Sequence, residues 1–557
     1  MLTSAPALLL TLVTQVGSST AADPRLFAPS PPAEAAPAAD APKPEPTPPP
    51  TPTKMRATDV FALSDFVDTR ITFAFTNANV FAGAGERLTP TSGYRIGIDP
   101  NFNLFLENVN TRFTGYESLS QVVLYKKLPA FWPLWETEAA LAGRLAANLD
   151  TGAINFFDAG TYLRVIRKLG DGPEDKVGSF DLTAFPVSSD RFRLGYTFLL
   201  SWGGTSVFPG KLVSRISEGA VPGIRLRWRA PEGKAYAFLG FKSALILSRE
   251  AGVRAGEQVP QYGVLAGAGV TLADHVIVET NGGLFQKGTQ ERPGLEGRPI
   301  TAFGVSGRVT YFQGNAPPSS ADYRLYRNDL QTTDDFKLFR GYKPGFGFSV
   351  ALEANLLGQN LEDPDRLGSE RLVTAFAAGL VGQMKMDELT IRLDAFIQSA
   401  DFLLFDVPGF VPFQATAAAA STTPEFFGAV TGEYALTPYF RPSLALGVKQ
   451  AATYTGPTPV DQGQLNGVAP GEVRTQIIVD NRTRTILPAD SSATPIIGLF
   501  LRLPLYLSDS TVLAGEVRYE LNDNQVRLAQ DRTRGENVYL FDDPNRLSLA
   551  FVLQSRW

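Results

Sequence analysis

Cysteine is absent from the 557 residues, and histidine occurs once, at position 275. The first absence excludes disulfides, thiolate metal sites and thiol nucleophiles. The second leaves a single imidazole for any acid–base role. Beyond the first twenty or so residues there is no apolar run of the ~20 residues that a membrane-spanning helix needs. A basic surface is missing too. Lys and Arg number 51 against 56 Asp and Glu, the formal charge is -5 and the pI is ≈ 5.4, which argues against general nucleic-acid affinity. What is present is 44% hydrophobic and 11% aromatic, with a mean hydropathy of -0.04. A soluble chain of this length would split into several domains. Near-neutral hydropathy also suits a closed membrane barrel, in which apolar lipid-facing and polar lumen-facing residues alternate.

Residues 1–22 read as a secretory signal peptide. Residues 7–16 form an apolar core, and Ser18, Ser19, Thr20, Ala21 and Ala22 supply the small side chains of a cleavage site. No Lys or Arg precedes Arg25, so the true start of translation stays open, and a short buried helix is the alternative reading. Residues 23–58 read as a periplasmic spacer, because Pro and Ala dominate 28–53, including Pro48, Pro49 and Pro50. Proline fixes φ and lacks an N–H, which excludes helix and central strand and leaves an extended polyproline segment. It either reaches a periplasmic or cell-wall partner or serves as a plain tether.

Residues 59–557 read as the barrel. In 70–81, Ile71, Phe73 and Phe75 alternate with Thr72, Ala74 and Thr76; in 346–356, Phe346, Phe348, Val350 and Leu352 alternate with Gly347, Ser349, Ala351 and Glu353. A period of two turns one set toward lipid and the other inward. A soluble sandwich alternates similarly, so the connections decide. Counted back from the C-terminus, strands at 545–557, 511–522, 495–506 and 440–452 are separated alternately by long segments and by tight turns. The long segments lie near 523–544 and 453–493, the turns at 507–510 and 436–439. Further short turns are expected at 384–388, 272–275, 231–234 and 187–190. Short periplasmic turns alternating with long external loops are the habit of outer-membrane barrels. The expected fold class is therefore all-β, a transmembrane antiparallel up-and-down barrel of about 18 strands, within a range of 16–20. Residues 314–342 interrupt this order, being long and polar on the short-turn side. Missed strands around 322–328 are the favoured explanation, with an insertion or plug as the other.

The last strand carries the strongest local signal. Leu547, Leu549, Phe551, Leu553 and Trp557 share one parity, and Ser548, Ala550, Gln554 and Arg556 the other. It resembles the C-terminal assembly signal of bacterial outer-membrane barrels, and departs from it at Ser555, where an apolar residue is usual. The resemblance implies insertion by the barrel assembly machinery into outer-membrane lipid. Trp132, Trp135, Trp202, Trp228 and Tyr506 fall near strand ends and suit interfacial girdles.

Catalysis has little to stand on. His275 sits at a turn with no serine paired to it by any sequence feature, and acidic pairs such as Asp334-Asp335 and Glu362-Asp363 read as solvated loops rather than Ca²⁺ sites. No enzyme, cofactor or metal is expected. The informative residues are charges within strands. In 224–229, Ile224, Leu226 and Trp228 face one way and Arg225, Arg227 and Arg229 the other. An arginine at mid-membrane on the lipid face costs about 2–4 kcal/mol, so these should line the lumen. The same parity turns Arg144, Arg164, Arg193, Arg308, Arg392, Lys449, Arg502 and Arg518 inward, with the acids Glu138, Glu353, Asp394, Glu433, Glu516 and Glu520. Two roles compete: selecting solutes in a pore, or bracing the wall by cross-strand pairs. Arg392 with Asp394, and Glu516-Arg518-Glu520, fit bracing. In general form the chain looks like a porin or substrate-specific channel for small polar solutes, anionic ones among them. Alginate-export-type barrels, which secrete polysaccharide, are a related resemblance. A barrel that anchors an envelope assembly is the reading from another class.

Overall fold

The computed structural model describes residues 66–81 and 116–556, with interruptions of which the longest are 199–220, 248–257, 315–344, 406–419, 458–471, 479–483 and 531–536. The described strands all fall within residues 58–557. The segments expected as signal peptide and spacer lie outside the described residues, as does Trp202.

Strand formation follows the two-residue period. The first strands are β1 (Phe66–Asn77), β2 (Tyr116–Pro129), β3 (Trp135–Asn148), β4 (Ala153–Asp158), β5 (Tyr162–Lys168), β6 (Ser179–Phe185), β7 (Gly223–Arg229) and β8 (Ala235–Leu247). They continue with β9 (Gln258–Leu272), β10 (Val276–Thr289), β11 (Pro299–Gln313), β12 (Phe346–Glu362), β13 (Glu370–Met386), β14 (Leu389–Gln398), β15 (Ser421–Thr423), β16 (Glu425–Tyr434) and β17 (Ser443–Gln450). The last are β18 (Thr453–Pro457), β19 (Val473–Ile478), β20 (Arg484–Ile486), β21 (Ile496–Ser508), β22 (Thr511–Leu521), β23 (Val526–Gln530), β24 (Asn537–Phe541) and β25 (Asn545–Arg556).

Nineteen of these strands form one sheet. Sequential neighbours pair antiparallel throughout, and β1 pairs with both β2 and β25, from Arg70 opposite Arg556 to Asn77 opposite Leu549. The sheet therefore closes on itself and has no free edge. Because β4 and β5 lie end to end along β3, the nineteen segments occupy eighteen positions. That is the expected number, and it is even, as single-chain barrels favour.

Parity separates the two faces. Leu141, Leu239, Leu284, Leu352, Leu446 and Phe551 are all exposed apolar residues on one parity, while Glu138, Asp181, Arg225, Lys242, Glu353 and Glu516 on the other are buried. One cluster of buried apolar side chains gathers Tyr125, Tyr162, Phe185, Phe238, Leu265, Phe285, Leu357 and Ala375, from strands β2 to β13. The cluster also takes in Phe192 and Leu194 of the connection after β6, and Phe198 of that connection packs against it and meets Phe396 of β14, so the buried parity faces the interior. The exposed apolar parity is thus the outer face. Such an exterior needs lipid around it, and the architecture is that of an integral outer-membrane barrel. Among the described residues no helix is long and apolar enough to cross a membrane.

Two expectations are corrected. Residues 187–190 are not a short turn at the end that holds the other tight turns. They open the long connection between β6 and β7, and the connection on the short-turn side is 169–178, with a one-turn helix at Glu174–Val177. Pro186, Ser188 and Ser189 do supply turn chemistry, but turn chemistry does not say at which end of a strand it acts. Second, residues 314–342 add no strand to the wall, because β11 pairs directly with β12 from Ala302–Gln359 to Gln313–Phe348. The segment itself, including 322–328, lies outside the described residues from 315 on.

The long connections at the opposite end carry structure of their own. Strands β15, β18, β19 and β20 form a second sheet, and β23 pairs with β24 in a hairpin. The short helix Ala400–Phe405 seats Ala400 and Leu404 against Ala452 and Ile478, a small apolar core beyond the barrel strands. Asp543 closes the hairpin's exit by accepting the Asn545 N–H at 2.9 Å and its side-chain amide at 3.0 Å. These donors hold the Asp543 carboxyl below its usual value.

Candidate functional site: the barrel interior

The interior is built unevenly. Toward β3–β8 it holds a dry ionic network. Arg164 of β5 is 0% exposed and donates to Glu138 of β3 at 2.9 Å, to Glu174 of the 169–178 turn at 2.6 Å and to Asp181 of β6 at 3.0 Å. Arg227 of β7 reaches the same Asp181 through Nε at 2.7 Å, and Arg225 lies 3.9 Å from it. Tyr125 donates to Glu138 at 3.0 Å, and Ser179 to Glu174 at 3.0 Å. Three guanidiniums thus meet three carboxylates in a space closed to water. Sequence parity placed Glu138 and the three arginines in this group. It missed Asp181, whose inward position was legible from Phe180 and Leu182 on either side, and Glu174, which a turn tucks in and no strand period could reveal.

The connection after β6 folds into this half. Its neck is closed by the Ser189 N–H and hydroxyl, which donate to the Val221 carbonyl at 2.9 and 2.7 Å. Beyond the neck Phe192 is fully buried, with the Arg225 guanidinium 5.7 Å and the Lys242 ammonium 5.3 Å from its ring centroid. Desolvated cation–π contacts of this kind are worth about 2 kcal/mol or more. Phe192 also packs on Phe185 and Phe238, at 6.2 and 5.6 Å between centroids. The wall makes room for it with Gly240, where a Cβ would overlap the ring. Further along, the Gly195 N–H donates to Asn281 of β10 at 2.9 Å, with Gly195 at φ 79°. Phe198 then meets Phe396 of β14 and Phe402 of the 400–405 helix, at 5.8 and 5.4 Å. The connection therefore runs from one wall across the interior to another.

Toward β14–β25 the charges are arranged differently. Arg392 chelates Asp394 two residues on, with two bonds of 2.8 Å. Arg518 donates to Glu516 at 2.9 Å, and Arg502 lies 3.6 Å from Glu516 on the other side. Their side chains keep solvent contact, 17% for Arg392, 29% for Arg502 and 34% for Arg518, while that of Glu516 is 3% exposed. The carboxylates sit against the wall and the guanidiniums stand in front of them. Arg518 also lies 4.8 Å over Phe500. Lys449 pairs with Glu425 at 2.6 Å near the external end. Small residues, Ala429, Ala445, Gly447 and Gly498, occupy the inward positions between these groups.

The remaining expected residues fall as follows. Arg308 of β11 stands in register between Glu279 and Glu353 on the adjacent strands, and Glu353 accepts from Asn355 and Ser306. Glu433 lies on β16 opposite Ser443, and Glu520 on β22 accepts from Asn522 at 3.1 Å. Arg229 ends β7, half-buried. Arg144 is on β3 opposite Gln121, its side chain outside the described residues, and Arg193 falls in the connection after β6, also outside them. Leu549, Phe551 and Leu553 face outward and are exposed; Trp557 is not among the described residues. His275 is an exposed turn residue whose ring meets Phe312 at 6.3 Å. Among the described residues no group of acidic or imidazole side chains is placed to hold a metal.

No protein-family model matches the chain, and no curated protein matches it. Solved structures similar to it include the outer membrane protein opdK from Pseudomonas aeruginosa, at 8% identity over 88% of this chain and 98% of that one, TM-score 0.39. OprD, also an outer membrane protein from Pseudomonas aeruginosa, is 9% identical over 89% of this chain and 93% of its own, TM-score 0.37. A loop-deletion mutant of OmpT, an outer membrane protein of Vibrio cholerae, is 8% identical over 89% and 100%, TM-score 0.33. At such values a likeness carries no solute, partner or residue role from one protein to another.

Proposed function

We propose that the protein is an outer-membrane channel for small polar solutes, with an off-centre path along β14–β25 that favours anions. The observation behind this reading is the difference between the two halves of the interior. Arg164 and Arg225 are fully buried, Arg225 beside Phe192 of the inward connection, whereas the side chains of Arg392, Arg502 and Arg518 are partly exposed next to buried carboxylates. A barrel of 16–18 strands leaves an aqueous channel unless something fills it, and among the described residues the inward connection buries Phe192 and Leu194 against β6–β10 and reaches β14 through Phe198. Guanidiniums that reach the lumen while the carboxylates behind them are buried present positive charge to a passing solute, and charged side chains lining a pore select among ions. In this reading the buried arginines brace the wall and the partly exposed ones line the path. In the same reading residues 1–22 direct export, residues 23–58 span the periplasmic side, and Leu549, Phe551, Leu553 and Trp557 present the last strand to the assembly machinery.

The test is conductance of the refolded protein in planar bilayers with a salt gradient. A steady open level with a reversal potential on the anion side is expected. Arg502→Glu with Arg518→Glu should move that potential to the cation side without loss of the folded band on a gel. An unchanged reversal potential in the double variant would remove these residues from the path. Folded protein with no conductance would overturn the channel in favour of a barrel that anchors an envelope assembly.

A further inference from the structure

The outer face carries a cleft. Near the end that bears the long connections, strands β9 to β13 leave an open space of about 610 Å³ on the outward parity. Its floor is Val264 and Leu284, in register on β9 and β10, and its far edge is Leu372 of β13, all three exposed. Two aromatic walls lean apart to open it. Tyr262 stacks on Phe241 of β8 at 5.6 Å between centroids, and Phe303 of β11 lies over Gly358 of β12, where a Cβ would overlap the ring. Neutral polar side chains stand at the rim. Gln286 and Thr301 are in register on β10 and β11, and Asn360 of β12 is opposite Leu372. Each is within three residues of the external end of its strand. The Gln286 Oε1 accepts the Tyr262 N–H at 3.2 Å, which holds that amide at the rim. Among the described residues that line the cleft, none is charged.

Position says what fills it. The outward parity faces lipid, and the end with the long connections is the external one. An apolar hollow at that depth takes hydrocarbon, because apolar surface is driven away from water. The rim is another matter. Amide and hydroxyl groups at the edge of the hydrocarbon need partners that both donate and accept. Phosphate is recognised by guanidinium and ammonium groups, and the lining has neither. Hydroxyls and amide linkages suit Gln286, Thr301 and Asn360 instead. A lipid with a sugar headgroup and amide-linked acyl chains offers both, and its chain would continue over Leu284 and Val264 toward mid-membrane.

We infer that this cleft is a binding site for a glycolipid of the external leaflet, with one acyl chain between Tyr262 and Phe303 and its polar linkage on Gln286, Thr301 and Asn360. The site is independent of what passes through the lumen. It is tested on the folded full chain in neutral detergent, by lipid retention in native mass spectrometry and by thermal unfolding. The probes are lipid A and dioleoylphosphatidylglycerol, both anionic, so that charge alone does not separate them. The wild type should retain more lipid A, and be stabilised more by it. Gln286→Leu with Asn360→Leu should abolish that preference while leaving the response to phosphatidylglycerol. Leu284→Trp fills the cleft from its floor and should lower retention of lipid A severalfold. Both variants change only lipid-facing side chains, so the strand ladders stay intact. Equal retention of the two lipids by the wild type would overturn the site. So would a preference for lipid A that survives in either variant.

Discussion

Replacing Phe192 by alanine is expected to widen the conducting path more than any other single substitution. The ring is the largest buried anchor of a connection that also touches the wall through a neck at Ser189 and Val221, Leu194 against Gly283, the Gly195–Asn281 bond and the Phe198 contacts. Truncating a buried phenylalanine costs about 3–5 kcal/mol. The loss also leaves Arg225 and Lys242 facing a cavity that water can enter, where each cation is better solvated than before. The balance that holds the connection inside is thus reversed locally, while the strand ladders are untouched. Single-channel conductance should roughly double, as an unfilled barrel of this strand number allows, and open-channel noise should rise. Gly240→Ala approaches the same contact from the wall, because its Cβ would overlap the Phe192 ring. It should give the same change with no cavity made. If both variants conduct as the wild type does, the connection does not narrow the path.

Much of this barrel is legible in the alternation of its residues. Period two set the faces, the count of strands and the inward parity of Glu138, Arg164, Arg225 and Arg227. Closure pairs β1 with β25, a contact whose partners lie at opposite ends of the chain, and it followed only from the need to leave no edge. What alternation cannot carry is anything that enters the lumen from a loop. Phe192 and Glu174 belong to connections, where there is no period to read. A signal for the inward connection was nevertheless present on β9 and β8, whose inward positions include Gly240, Gly263, Gly267 and Gly269. Glycine weakens a strand, and repeated on one face it marks close approach by another group. Here Phe192, Phe238 and Tyr236 lie over three of those positions. Residues 187–190 were misplaced for the related reason that a turn motif is local while the end of the barrel it occupies is not.

Removing Arg164 is expected to destabilise the barrel strongly and to leave its ion selectivity alone. The guanidinium is the common partner of Glu138, Glu174 and Asp181, whose side chains are 2%, 6% and 0% exposed. Arg164→Ala would leave Asp181 and Glu174 with Arg227, at 2.7 and 3.8 Å, Arg225 at 3.9 Å from Asp181, and Glu138 with the Tyr125 hydroxyl at 3.0 Å. Breaking a buried pair by deleting one partner costs about 3–5 kcal/mol, since the charge left behind has lost both water and counter-ion. Urea unfolding of the folded, heat-modifiable gel band should move to lower denaturant, with an unfolding free energy smaller by that amount. Arg164→Lys keeps the charge but offers a single ammonium where a planar fork served three acids, so it should recover only part of the loss. Arg164→Met with Glu138→Gln and Glu174→Gln, which removes charge from both sides, should unfold later than Arg164→Ala. The reversal potential should be that of the wild type in every variant that folds, because the network is sealed from the path along β14–β25. A change in selectivity without a change in stability would place Arg164 in the path and merge the two halves of the interior into one.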